Sequence, residues 1–159
     1  MTYAKSNKLH IVAVTAAIRR ADGRYLVVKR ADHEIAHPGM WAFPGGKVEG
    51  AESIEEALHK EVLEEVGLRV LAGKVLLKDA AFTRPDGQTV KVLSFLVQVA
   101  EGAVVLDTHD FSEYRWVTPQ ELAELNHVGI AEEVRQAEVF LRAAGGNRAD
   151  FQTASQRDD

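Results

Sequence analysis

The sequence predicts an α+β fold in which a mixed β-sheet is sandwiched between helices, an α/β/α arrangement. Three observations predict it. Runs rich in Ile, Val, Leu and aromatic residues dominate residues 9–29 and recur between residues 69 and 117, one capped amphipathic helix interrupts them, and two helical segments come last.

In chain order, Leu9 to Ile18 and Tyr25 to Lys29 read as strands joined by a turn at Asp22-Gly23. Arg30 to Met40 contains Pro38-Gly39 and no periodicity, so it reads as a loop. Trp41 to Phe43 is a short strand running into Pro44-Gly45-Gly46. Ser53 with Glu56 three residues on is a capping box, and Gly67 suits the left-handed residue that closes a helix, which sets a helix over 54–66. Ile54, Leu58, Val62 and Val66 recur every fourth residue and form its buried stripe. Arg69 to Phe82 and Thr89 to Val99 read as a hairpin around Pro85-Asp86-Gly87, and Glu113 to Val117 as a further strand. Thr118-Pro119-Gln120-Glu121 repeats helix-start chemistry for a short helix to about Leu125, followed by a longer helix from about Gly129 to Ala144.

Length and composition fit a single domain over residues 1–144. Residues 145–159, GGNRADFQTASQRDD, are polar and read as a disordered tail. No apolar run is long enough to span a membrane, and LHIVAVTAAI reads as a strand rather than a signal segment. The chain has no cysteine, which excludes disulfides and thiolate chemistry and fits a cytoplasmic protein. With 24 acidic against 19 basic residues and a net charge of -5, it is not expected to coat a nucleic-acid polymer. A small phosphate-bearing substrate remains compatible, because a metal ion can supply positive field.

The chemistry concentrates in residues 46–68, GKVEGAESIEEALHKEVLEEVGL, where seven of 23 positions are glutamate. At 3.6 residues per turn, Glu61, Glu64 and Glu65 fall within an arc of about 100° beside the buried stripe. Carboxylates so placed raise one another's pKa unless positive charge sits between them. Oxygen donors without thiolates point to a hard cation, Mg²⁺ or Mn²⁺.

The order Gly46, Glu52, Lys60-Glu61-Val62, Glu64-Glu65, Gly67-Leu68 resembles the Nudix box, and residues 40–49, MWAFPGGKVE, resemble the lead-in of MutT-type members. The resemblance implies the Nudix sandwich with its catalytic loop-helix-loop. It also implies an Mg²⁺-dependent hydrolase of a nucleoside diphosphate derivative, in MutT-type members a nucleoside triphosphate cleaved to monophosphate and pyrophosphate. By position, it implies Glu61, Glu64 and Glu65 as metal-binding and water-activating residues, with Glu61 and Glu64 both candidates for the base. The Gly45 carbonyl is implied as a further ligand, and Glu52 as structural. The one departure is Lys60, where the family has Arg; an ammonium keeps the charge but lacks the planar fork that orients a catalytic glutamate, so lowered or retuned activity is expected.

The same resemblance implies another acidic ligand ahead of Trp116. Asp110 and Glu113 qualify, and strand alternation puts them on opposite faces, so at most one points at metal and either is otherwise a solvated acid. Lys29 and Arg30 either contact phosphates or form an exposed strand-end pair. Asn126 either caps the last helix or reads a purine edge. His33 and His37 stand four apart, but Pro38-Gly39 argues against a helical metal pair and no third ligand is spaced with them.

Alternatives within the same chemistry are ADP-ribose, another nucleotide sugar or a dinucleoside polyphosphate as substrate. Isomerisation of isopentenyl diphosphate needs a cysteine that is missing. A nucleotide-sensing Nudix-like domain without hydrolysis is the non-enzymatic alternative; no room is expected after residue 144 for the DNA-binding module of such sensors. Members of the family are often dimers, so a homodimer is an expectation from the resemblance.

Overall fold

The computed structural model describes residues 9–145; the tail expected over 145–159 lies, from residue 146 on, outside the described residues. Seven strands and three helices follow in the order β1 (Ile11–Ile18), β2 (Tyr25–Arg30), β3 (Trp41–Ala42), β4 (Gly45–Lys47), α1 (Ile54–Val66), β5 (Val75–Thr83), β6 (Thr89–Val97), β7 (Phe111–Val117), α2 (Pro119–Glu124) and α3 (Ala131–Ala143). The strands form two sheets. One is four-stranded in the order β4-β1-β6-β5, mixed because β1 and β6 run parallel, and the other is an antiparallel set in the order β3-β2-β7.

Two apolar layers explain the stacking. Alternate residues of β1 and β2 point to opposite sides, so Val14, Ala16, Ile18, Leu26 and Val28 join Leu58, Val62 and Val66 of α1, while Ala17, Tyr25 and Val27 join Leu122 of α2 and Val134, Ala137 and Leu141 of α3. Helix α1 therefore covers one face and α2 with α3 the other. Each fully buried Leu or Val contributes about 1.5–3 kcal/mol relative to exposure, so the expected i+4 stripe of α1 is what holds that helix to the sheet. Its start is fixed by Ser53 Oγ, which accepts from Glu56 N–H at 3.0 Å, and its end by Gly67 at φ +70° donating to the Leu63 carbonyl at 3.0 Å. Ser53→Ala is expected to cost about 1 kcal/mol, read as a lowered urea midpoint with unchanged slope.

Two stretches differ from expectation by more than two residues. Residues 69–74 are not strand: Gly73 sits at φ +92°, and only Val70 forms a bridge, to Val99, before β5 begins at Val75. The apolar runs Val70-Leu71-Ala72 and Val75-Leu76-Leu77 on either side of Gly73 read as one strand from the sequence. Conversely, β4 was not expected, because Gly45-Gly46 has no intrinsic strand preference; it forms because Ala16 N–H bonds the Pro44 carbonyl and Val48 N–H the Val12 carbonyl, both at 2.8 Å, pinning the segment to β1.

Candidate active site

The register of β4 builds the floor of the site. Gly46 pairs with Val14 between the bonds made at Pro44 and Val48, so the intervening Gly45 turns its N–H and C=O toward the open edge of the sheet. That N–H donates to Glu65 Oε2 at 3.0 Å. The Gly45 carbonyl, on the same edge, is thus on the side of the glutamates. A Cβ at Gly46 would stand 2.4 Å from the Glu61 carboxyl carbon, so glycine is required there for the carboxylate to lie against the strand. Gly46→Ala is expected to push Glu61 aside and lower turnover about 10- to 100-fold, measured as kcat with a thermal melt to confirm folding.

The three helical glutamates differ in environment. Glu64 is exposed, Glu61 is largely covered and Glu65 is buried. Burial pushes the Glu65 carboxyl up to about 8, opposed by the Gly45 N–H bond and reinforced by the negative charges of Glu61, Asp110 and Asp107. Burial, and then Glu64, likewise push Glu61 above the ordinary carboxylate range. A buried acid ringed by acids costs free energy in its ionised form unless a cation is supplied. The donor set thus fits a hard divalent ion.

Lys60 brings a basic side chain beside Glu61. Its ammonium bonds Glu52 Oε2 at 2.9 Å and stands 3.8 Å from Glu49 and 4.0 Å from Glu61. Glu52 also accepts from Glu49 N–H at 2.8 Å, so it ties the loop to the helix, and the Lys60 bond holds its carboxyl below the usual range. Lys60 steadies Glu52 first and biases Glu61 only at longer range. Behind the helix, Asp107 N–H bonds the Glu65 carbonyl at 2.8 Å and Val105 N–H the Val66 carbonyl at 2.9 Å, satisfying carbonyls that a helix end leaves open. These bonds bring the segment ahead of β7 to the glutamates.

The outlying residues separate. Asp110 lies on the Glu65 side and hydrogen-bonds His109 Nδ1 at 2.8 Å; Glu113 accepts from Arg115 Nε at 2.9 Å. Lys29, on β2, pairs with Trp41 and Glu113. Arg30 donates to the Ala36 carbonyl at 2.6 Å and bonds Glu34 at 3.4 Å, so its guanidinium is engaged within its own loop. Asn126 is neither inside nor capping α3: helix α3 begins at Ala131, and the Asn126 carbonyl instead accepts from Trp41 N–H at 2.9 Å. His127 Nδ1 braces the turn ahead of α3, accepting from the N–H groups of Gly129 and Ile130 at 2.9 and 3.3 Å, while the helix itself starts after Ile130 with no side-chain cap.

A family model described as the NUDIX domain matches residues 9–137. The chain belongs to the Nudix family. This Nudix hydrolase is similar to the nucleoside triphosphatase NudI of Salmonella agona (strain SL483), at 36% identity over 110 residues that cover 64% of this chain and 78% of that one. Among solved structures it is similar to the MutT NUDIX hydrolase from Burkholderia pseudomallei, with a TM-score of 0.70 at 25% identity over 80% of this chain and 98% of that one. A MutT protein from Methanosarcina mazei Go1 superposes with a TM-score of 0.68 at 28% identity over 84% of this chain and 94% of that one. The shared fold and the family match make this chain an α+β hydrolase, as the resemblance implied, with Lys60 as the one departure in its box. No helix among the described residues is long and apolar enough to cross a membrane.

Proposed function

We propose that this Nudix hydrolase cleaves a phosphoanhydride of a nucleoside triphosphate, releasing monophosphate and pyrophosphate, with Mg²⁺ as its cation and the cytoplasm as its compartment. The observation that carries the reading is Glu65, a buried carboxyl bonded to Gly45 N–H and surrounded by Glu61, Asp107 and Asp110. Glu61, Glu64, Glu65 and the Gly45 carbonyl would hold the ion; Mn²⁺ would serve in its place. Bound there, it would neutralise phosphate oxygens and acidify the attacking water.

The chain's own groups then have separate tasks. Glu61, held against Gly46, accepts the water proton at its carboxylate. Glu64 is exposed and would be a ligand on the solvent side. Glu65, fixed by the Gly45 N–H, would be the buried ligand of that ion. Lys60 and Glu52 hold the loop so that Gly45 and Gly46 keep their places. We propose that Glu113, paired with Arg115, stands outside the magnesium set, and that Asp110, on the Glu65 side, works with His109 rather than as a magnesium ligand. Lys29 remains the basic candidate for a phosphate.

The relatives named nucleoside triphosphatase and MutT support the triphosphate over other substrates. The test is product chromatography on a panel of nucleoside triphosphates, ADP-ribose and dinucleoside polyphosphates with Mg²⁺. Pyrophosphate release from triphosphates is the expected result. AMP with ribose phosphate from ADP-ribose would redirect the substrate assignment, and tight binding with no product would turn the reading to a sensor.

A further inference from the structure

We infer that this protein carries a second cation site of different chemistry, a zinc-class transition-metal site formed by His33, His109 and Asp110. The inference does not depend on the proposed hydrolysis, and its test uses no nucleotide.

These three residues come from two loops far apart in the chain. His33 lies between β2 and β3, and His109 and Asp110 immediately precede β7. The loops are pinned together by main chain, because Ala31 N–H donates to the Asp110 carbonyl at 2.9 Å. One ligand atom from each of the three side chains falls within 4.8 Å of the other two. The imidazoles meet edge to face with centroids 5.3 Å apart, and His109 Nδ1 already lies 2.8 Å from Asp110 Oδ1.

The distances are those of a site one small adjustment from closure. At metal–ligand bonds of about 2.0–2.2 Å, tetrahedral donors stand about 3.3–3.6 Å apart. Both imidazoles are exposed and Asp110 only partly covered, so side-chain rotation alone can draw the three donors inward while the Ala31–Asp110 bond stays in place. Glu34, on the His33 loop, lies close enough to act on both His109 and Asp110, which adds negative charge beside the cluster.

Donor type separates this cluster from the glutamates. Two imidazoles with one carboxylate suit Zn²⁺, Co²⁺ or Ni²⁺, whereas Mg²⁺ prefers oxygen donors and gives up its waters reluctantly. The two sites would therefore sort cations by chemistry although they lie side by side. A cation held by His33 and His109 would clasp the 31–40 loop to the segment that caps α1.

The experiment uses the full, untagged chain, stripped of metal and then dialysed against micromolar Zn²⁺ with millimolar Mg²⁺ present. Wild type is expected to retain one zinc per chain, and His33→Ala/His109→Ala none, an effect beyond the about 10- to 100-fold that loss of an outer partner costs. Glu61→Gln/Glu65→Gln is expected to keep its zinc. In parallel, imidazole NMR signals of His33 and His109 should shift on zinc addition while those of His10 and His59 stay in place. Wild type without bound zinc, equal zinc in wild type and the double histidine variant, loss of zinc in the glutamate variant alone, or shifts confined to other histidines would each overturn the site. Because the NMR readout needs no substitution, a variant that failed to fold would leave the inference open to refutation.

Discussion

Glu64→Gln is expected to lower kcat at least about 100-fold while leaving the thermal melt of the metal-free protein unchanged. Glu64 is exposed and lies outside both apolar layers, so an isosteric amide there removes charge without disturbing packing. It also removes a repulsion, since Glu64 is one of the charges that raise Glu61. What is lost is one oxygen anion in the set that would hold a divalent ion, and such ions account for much of the transition-state charge stabilisation in phosphoryl chemistry. Steady-state kinetics over a Mg²⁺ titration, paired with differential scanning fluorimetry, checks both halves. Near-normal turnover would take Glu64 out of the mechanism and leave Glu61 and Glu65 to be tested alone.

The metal-free protein is expected to lose stability as pH rises through the neutral range, with Glu65 as the cause. Its folded carboxyl is pushed up to about 8 by burial, against an ordinary value near 4.3. Below about pH 4 the residue is protonated both folded and unfolded and costs nothing. Between about pH 4.5 and 8 the unfolded chain releases this proton while the folded chain keeps it, so stability falls with increasing pH, and it levels off above 8. Across that window the loss is on the order of 3–5 kcal/mol, or roughly 10 °C in Tm for a chain of this size. Glu65→Gln removes the titration. The melting temperatures of wild type and variant should converge at pH 4 and separate in favour of the variant by pH 8.5, and millimolar Mg²⁺ should narrow that gap. A constant difference across the pH range would mean that Glu65 does not hold its proton in the folded state.

These two expectations draw on different kinds of information. The alignment of Glu61, Glu64 and Glu65 beside a buried stripe follows from helical periodicity, and the limits of α1 from Ser53 and Gly67, all of them interactions within about four residues. The same local logic located β1, β2 and α2 to within one or two residues. It failed at Gly73, where one residue at positive φ breaks a stretch of apolar residues. It also failed at β4, where two glycines become a strand only because β1 lies beside them. Asn126 stands outside α3 because that helix begins only at Ala131, after a turn in which His127 Nδ1 accepts from Gly129 and Ile130 N–H.

By itself the sequence determined the family, the helix, the order of layers and which carboxylates share an edge, since each is written in short-range spacing. Only the tertiary structure decided that Glu65 is the buried member, that Asp110 and not Glu113 lies on its side, and that His33 meets His109 rather than His37. The reason is desolvation and distance: how much water a carboxyl keeps, and which loops touch, depend on chain segments brought together by packing, and neither quantity is encoded in any stretch a few residues long.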